Sequence, residues 1–526
     1  MKKIMALVLG VLLVAMAVPA LADTSVDFNG VYRLQHLNTN NIDRAWRSRD
    51  IDRGSLFRHR FQVGVTFHAT DEIDVDWVIR APHWANWGGE GATSIVSRAY
   101  YATIKQPWGT IQVGRLADGA PGTVGGLSTL GHGPSWGGRG DLYAGGSIFD
   151  FNDTVDGITY NHEFGNGFGL AAYYFKFVTD TSEKDADVDR FGIEPRYTWD
   201  GGGATLGFIY HRDKTPFYGG AWFTPTYSWT SDNLSLFQGA FSELANHLRA
   251  EGYVRGAIDF YGPDSDYTFI INPAFAQTWG AFSIGFEGAF AWAKTRYLVD
   301  ASVEDAAGNP IELSSSFDVD KKGFGLYFDA GYNYGAGDIT FLAWFTSGTD
   351  WDDDDEFNDA IGLGDFAPFL VAFGSTSFGS TFGGYGLNQQ ALLTRTRGDD
   401  DLTGEMTGGS NQWGIGLLGN HSLTDDIALN WGIGYFALVQ PYGWDLDEFE
   451  GPDPAKDYRN RKKDLGWEID LGFTFNLLDN LSFETQFGYF FNGGAFDTLH
   501  HNDAEGYHFK DAKDSYAWTN VLNISF

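Results

Sequence analysis

Catalysis needs side chains that can meet. Asn420-His421-Ser422 sets a base beside a hydroxyl, but the flanking residues alternate between apolar and polar. Neighbours in such a strand point to opposite faces, so His421 and Ser422 stand outside the reach that a nucleophile and its base require. The chain has no cysteine, which removes thiolate metal sites, disulfides and a haem-attachment motif. Carboxylates are plentiful in two runs, Asp350 to Glu356 and Asp399 to Asp401. Hard cations favour such oxygens, yet no glycine-punctuated calcium-loop pattern accompanies them, and they read as solvated charge. No cofactor is expected.

The remaining chemistry is charge carried on strands. Phe57, Phe61, Val63, Val65 and Phe67 take one face of a strand, which puts Arg58, Arg60, Gln62, Thr66 and His68 on the other. By the same count Ile73, Val75, Trp77 and Ile79 oppose Asp74, Asp76 and Arg80, while Phe28, Tyr32 and Leu34 oppose Arg33 and Gln35. Arg98 joins this polar face if Ala99 and Tyr101 take the apolar one. An arginine facing lipid at mid-membrane costs ~2–4 kcal/mol. If these strands cross a bilayer, Arg33, Arg58, Arg60, Arg80 and Arg98 line the inside. The other reading sets some of them at an outer rim, paired with loop carboxylates.

The elements that would carry these residues are membrane strands. Lys2 and Lys3, the apolar stretch Ile4 to Val18 and the small-residue site Ala20-Leu21-Ala22 compose a secretory signal over residues 1–22. That leaves residues 23–526 as the mature chain, and losing the two lysines takes the net charge from −34 to −36. No later segment is long and apolar enough for a membrane helix. The clearest strand runs Leu465, Trp467, Ile469, Leu471, Phe473, Phe475 and Leu477 against Gly466, Glu468, Asp470, Gly472, Thr474 and Asn476. Such contrast fits lipid on one side and water on the other.

Eight short turns are expected: near Asp71-Glu72, Gln106 to Trp108, Phe164 to Gly167, Asp200 to Gly203, Thr278 to Gly280, Gly335 to Asp338, Thr424 to Asp426 and Asp479-Asn480. Nine longer connections alternate with them, among them Asp213–Ser265, Thr295–Lys321, Ser347–Ser410 and Gln440–Lys462. The outcome is an all-β transmembrane antiparallel barrel of eighteen strands, with sixteen as the alternative because two connections parse poorly. Leu234 to Ala250 has the character of a short helix over the mouth. Trp77, Trp108, Trp292, Trp344, Trp413, Trp431, Trp467 and Trp518 lie near strand ends, where amphipathic rings meet lipid headgroups.

The segment Ser97-Arg98-Ala99-Tyr100-Tyr101-Ala102-Thr103-Ile104, followed by Trp108-Gly109-Thr110-Ile111-Gln112-Val113-Gly114-Arg115, resembles the general porins of Gram-negative outer membranes. Asp156 to Tyr160, Gly167 to Tyr173 and Val26 to Gly30 extend the resemblance over about Val26 to Phe175. It implies a water-filled channel for passive diffusion of ions and small hydrophilic solutes, in the outer membrane, with long loops extracellular and both termini periplasmic. It further implies a homotrimer. The connection after the fifth strand, residues 116–152, would fold into the lumen as a constriction loop carrying Asp118, Asp141 and Asp150. The family's basic wall maps best onto Arg60 and Arg98, whereas its first-strand lysine falls on Val31. The strand ending in Phe526 resembles the signal read by the barrel-assembly machinery.

The acidic balance excludes nucleic acid as a partner, because phosphate would be repelled. Outer-membrane lipid and lipopolysaccharide are the expected surroundings. Two other classes compete with the channel: a structural sheath around an electron-carrying cytochrome, and a barrel enzyme. The face argument for His421 and Ser422 disfavours the enzyme, and the sheath has no residue of its own to name it.

Overall fold

The computed structural model describes residues 25–40, 53–86, 95–116, 155–179, 187–213, 226–230, 255–304, 310–348, 369–373, 411–441, 462–496, 498–502, 506–510 and 513–526. Its strands are β1 (Ser25–Asn40), β2 (Arg53–Thr70), β3 (Ile73–Asn86), β4 (Val96–Gln106), β5 (Gly109–Leu116), β6 (Val155–Gly165), β7 (Phe168–Thr179), β8 (Asp187–Trp199), β9 (Gly202–Asp213), β10 (Thr226–Thr230), β11 (Arg255–Trp279), β12 (Phe282–Glu304), β13 (Pro310–Asn333), β14 (Gly337–Thr346), β15 (Gln412–Ser422), β16 (Ile427–Leu438), β17 (Asp464–Leu478), β18 (Leu481–Asn492), β19 (Thr498–Asn502), β20 (Gly506–Lys510) and β21 (Ser515–Ser525).

Each barrel strand pairs antiparallel with its neighbour along the chain, β9 pairs with β11, and β18 pairs with β21. β21 then pairs with β1 and closes the ring. Short β10 adds to the far end of β11, and β19 with β20 forms a separate hairpin. Eighteen strands therefore make the barrel, and the sixteen-strand alternative is excluded. The eight expected turns all join strand pairs.

Alternation sorts the two faces. Trp467, Ile469 and Leu471 are exposed on the outside of β17, and Glu468 and Asp470 between them are buried on the inside. An outward apolar surface suits hydrocarbon, and closure leaves no unpaired strand edge in it.

Four sequence expectations need correction. Thr295–Lys321 is not a loop, because β12 and β13 continue as a paired hairpin to Glu304 and from Pro310. In the same way β11 begins at Arg255, inside the expected connection Asp213–Ser265. Backbone pairing persists past the apolar band, where side-chain polarity no longer reports it. Leu465 does not face outward: it is buried in the interior cluster. The register skips it between Phe436↔Gly466 and Ala437↔Asp464, and Gly466 has φ +125°, a β-bulge that resets the alternation. Trp344 likewise faces inward, 3% exposed, whereas Trp108, Trp292, Trp467 and Trp518 are exposed outside. Leu234 to Ala250 lies outside the described residues.

The seam between the two ends of the chain holds through Gly30 and Phe526. Gly30 N–H donates to Phe526 O (2.8 Å) and Phe526 N–H donates to Gly30 O (3.1 Å). The Phe526 ring stacks on Phe61 at 5.9 Å. Phe526→Ala keeps both backbone bonds but loses the stack, worth ~0.5–1.5 kcal/mol. We expect a slightly lower heat-unfolding midpoint, read as the gel-mobility shift of folded against unfolded barrel. An unchanged midpoint would show that the ring adds nothing to closure.

Candidate functional site

The pore wall is built from cross-strand neighbours. Arg33 on β1 lies opposite Arg60 on β2, Gln35 opposite Arg58, and Gln62 on β2 opposite Arg80 on β3. Paired residues share a face, and this is the inward one: Phe57 and Phe61, the neighbours of Arg58 and Arg60, are exposed outside. All four arginines are buried, at 2–4% exposure. Three of the Nε atoms donate to amides: Arg33 to Asn523 Oδ1 (2.7 Å), Arg58 to Gln35 Oε1 (2.7 Å) and Arg80 to Gln62 Oε1 (2.9 Å). An amide acceptor fixes the plane of the guanidinium that donates to it.

Arg98 does not share this face. Its inward placement required Ala99 and Tyr101 to contact lipid, but Ala99 is fully buried, Tyr101 packs on the interior cluster, and Tyr100 is exposed. The register passes from Val78↔Ala99 to Ile79↔Ser97 and skips Arg98, which sits at a β-bulge. Asp118, Asp141 and Asp150, with the rest of the expected constriction loop, lie outside the described residues, as do the acidic runs from Asp350 and from Asp399.

Sequence reasoning set Glu468, Asp470 and Glu484 on the polar faces of their strands but did not name Glu287 and Asp329. Glu287 on β12 and Asp329 on β13 are buried inside the barrel. β12 stands nine steps from β2 in a ring of eighteen, halfway round. Glu468 and Asp470 on β17 and Glu484 on β18 are also buried inside. Asn523 links the two charge types, accepting from Arg33 and donating through Nδ2 to Glu484 Oε1 (3.2 Å). Strand parity alone would have found Glu287 and Asp329 as well.

A second missed feature is a piece of chain inside the lumen. Phe369, Leu370 and Val371, from the connection between β14 and β15, are fully buried, and Leu370–Phe373 is a single helical turn. Phe369 packs over Gly416, Gly432 and Gly434 on the inner faces of β15 and β16, edge-on to Phe436 at 5.2 Å. A Cβ on Gly416 would lie 2.7 Å from the Phe369 ring, so the missing side chains are what admit it. Leu370 N–H donates to Asp470 Oδ2 (3.0 Å) and Val371 N–H to Glu468 Oε1 (2.5 Å). The signal was the apolar run Phe369-Leu370-Val371-Ala372-Phe373 in an otherwise polar connection.

His421 bonds through Nδ1 to the Tyr334 hydroxyl (3.0 Å) at the turn side, and Ser422 is exposed beside it.

A closed ring of outward-apolar strands with a charged interior is the architecture of a membrane channel, and the family comparison says which. Residues 9–221 match the Gram-negative porin family. The match contains the segment Val26 to Phe175 on which the resemblance was read. That match supports reading the chain as an outer-membrane channel for small solutes. Solved structures with similar barrels include the outer membrane protein OprD of Pseudomonas aeruginosa (12% identity, 95% of this chain and 93% of that one, TM-score 0.44). OpdL of the same organism (10%, 96% and 99%, 0.45) and its OccK8 (OprE) (10%, 95% and 98%, 0.44) are others. The fold of this chain rests on its own closed register and not on these likenesses. No curated protein sequence matches the chain.

Proposed function

We propose that this porin passes ions and small hydrophilic solutes passively, and that Arg33, Arg58, Arg60 and Arg80 form the basic wall of its constriction. The observation that carries the reading is the buried arginine set on β1–β3, with Arg33, Arg58 and Arg80 held by amides, and the buried carboxyls Glu287 on β12 and Asp329 on β13 about halfway round the ring. Opposite charges across water set up a transverse field. Dipolar solutes orient in it, and apolar ones cannot replace the water it orders. Diffusion asks for no catalytic group, so the chain is read as a channel without enzymatic activity.

Residues 1–22 serve as a cleaved signal, and residues 23–526 reach the membrane through the barrel-assembly machinery. The short turns and both termini lie in the periplasm and the long connections outside, the usual arrangement of such barrels. Asp118, Asp141 and Asp150, outside the described residues, would add negative charge if their connection enters the constriction. Copies associate as a homotrimer among lipid and lipopolysaccharide; crosslinking in native membranes that yields monomer alone would remove that part.

Purified protein added to planar bilayers should give stable ohmic conductance steps in KCl. Silence across repeated insertions, with the folded barrel verified by gel mobility, would overturn the channel reading and favour a structural barrel.

A further inference from the structure

The connection from β18 to β21 carries a hairpin of its own. Thr498–Asn502 and Gly506–Lys510 pair antiparallel as β19 and β20, in a two-stranded sheet separate from the barrel. β18 runs away from the short turn at Asp479-Asn480, so the hairpin belongs to the loop side. The chain has 12 histidines, and three of them, His500, His501 and His508, fall within this hairpin. No other stretch of nine residues in the sequence holds more than one, so a chance scatter is a poor account of them.

Register decides which of the three can act together. His500 lies directly opposite His508, and His501 lies opposite Tyr507. Directly opposed residues share one face of a ribbon, with Cβ atoms ~4.5–5.5 Å apart. His500 and His508 therefore hold one face with Thr498, Asn502, Gly506 and Lys510. His501 takes the other with Leu499, Tyr507 and Phe509. The sequence without its pairing would have grouped His500 with its neighbour His501, which alternation separates.

Imidazole offers a neutral nitrogen donor, and it suits Zn²⁺, Cu²⁺ and Ni²⁺ where Ca²⁺ and Mg²⁺ prefer oxygen. Cβ atoms at the spacing of an opposed pair let two imidazoles meet one ion, each nitrogen ~2.0–2.1 Å from it. The backbone ladder holds the two positions together before any ion arrives, which lowers the ordering cost of binding. Asp497, Asp503, Glu505 and Asp511 set four carboxylates against Lys510 in this part of the sequence, so an approaching cation meets net negative charge.

We infer that His500 and His508 form a two-imidazole binding site for a divalent transition-metal ion on the loop side of the barrel. Two protein ligands leave the remaining coordination positions to water, or to a solute that brings its own donors. The inference does not depend on which solutes pass or on whether the barrel conducts.

Calorimetric titration of the folded barrel in detergent with Zn²⁺ tests it, in excess Ca²⁺ to occupy carboxylate sites. Wild type should bind one Zn²⁺ per chain. H500N and H508N should each weaken binding roughly a hundredfold, the loss expected when a second ligand no longer closes on an ion already held. H501N, on the opposite face, should leave it unchanged. All three lie outside the barrel sheet and should keep wild-type gel mobility. Cu²⁺ gives an independent readout by pulsed EPR: two imidazoles in wild type and H501N, one in H500N or H508N. No calcium-resistant site in wild type, undiminished binding in H500N or H508N, or equal loss in all three variants would overturn the inference. A loss confined to H501N would put the ligand on the other face and overturn it too.

Discussion

Phe369→Ala is expected to raise the single-channel conductance of this barrel and to make its open level flicker. Phe369 is fully buried in a pocket floored by Gly416, Gly432 and Gly434, and it anchors a segment that occupies the lumen. Truncating a buried Phe costs ~3–5 kcal/mol, which lowers the ratio of docked to undocked segment by roughly a hundredfold or more. The two N–H bonds to Asp470 and Glu468 remain but are exchanged readily for water once the ring no longer excludes it. The pocket can be closed from its other side. A Cβ on Gly434 would meet the Phe369 ring at 2.5 Å, so Gly434→Val should expel the segment while adding a residue that strands favour. The two variants should therefore converge on one higher conductance level in planar bilayers. If both keep the wild-type level, the segment does not obstruct the path of ions.

Neutralising the arginine wall should move ion selectivity toward cations more than any other change of equal size. The variant R33Q/R58Q/R60Q/R80Q removes four positive charges from the inner face of β1–β3 and leaves the carboxylates of β12, β13 and β18 in place. Glutamine keeps hydrogen-bonding capacity beside Asn523, Gln35 and Gln62, which limits the structural cost. Charges remote from the pore are screened within ~8 Å at physiological salt, so the acidic balance of the chain matters most in dilute salt. Reversal potential under a KCl gradient is the measurement. Wild type should show weak selectivity at high salt that turns cationic as salt falls, and the variant should be cationic throughout. An unchanged potential would place the arginines away from the narrowest zone. Arg98 has no part in this test, because its strand skips it at a bulge.

Much of this was legible from one dimension. Period-two alternation, the eight short turns and the long connections between them were enough for a closed barrel of eighteen strands, because lipid and water on opposite faces leave few other solutions. The inward course of Arg33, Arg58, Arg60 and Arg80 followed from the same parity, and so would that of Glu468 and Asp470. Parity failed at Leu465, where a bulge inverts the count, and on β4, where Ala99 and Tyr101 face inward and so put Arg98 off the arginine face. Hairpins that run on beyond the membrane, β12 with β13, were hidden because pairing there is carried by main-chain bonds that side-chain polarity does not report.

What only the tertiary structure decided is which distant residues meet. Glycines on β15 and β16 face the lumen at the height of Phe369, and carboxyls on β17 accept the N–H groups beside it. Arg115 and Asp320, more than two hundred positions apart, belong to one row of paired strands. Alternation says which side of the wall a residue faces. Register and closure say how high it stands and what stands beside it, and those depend on every strand in the ring.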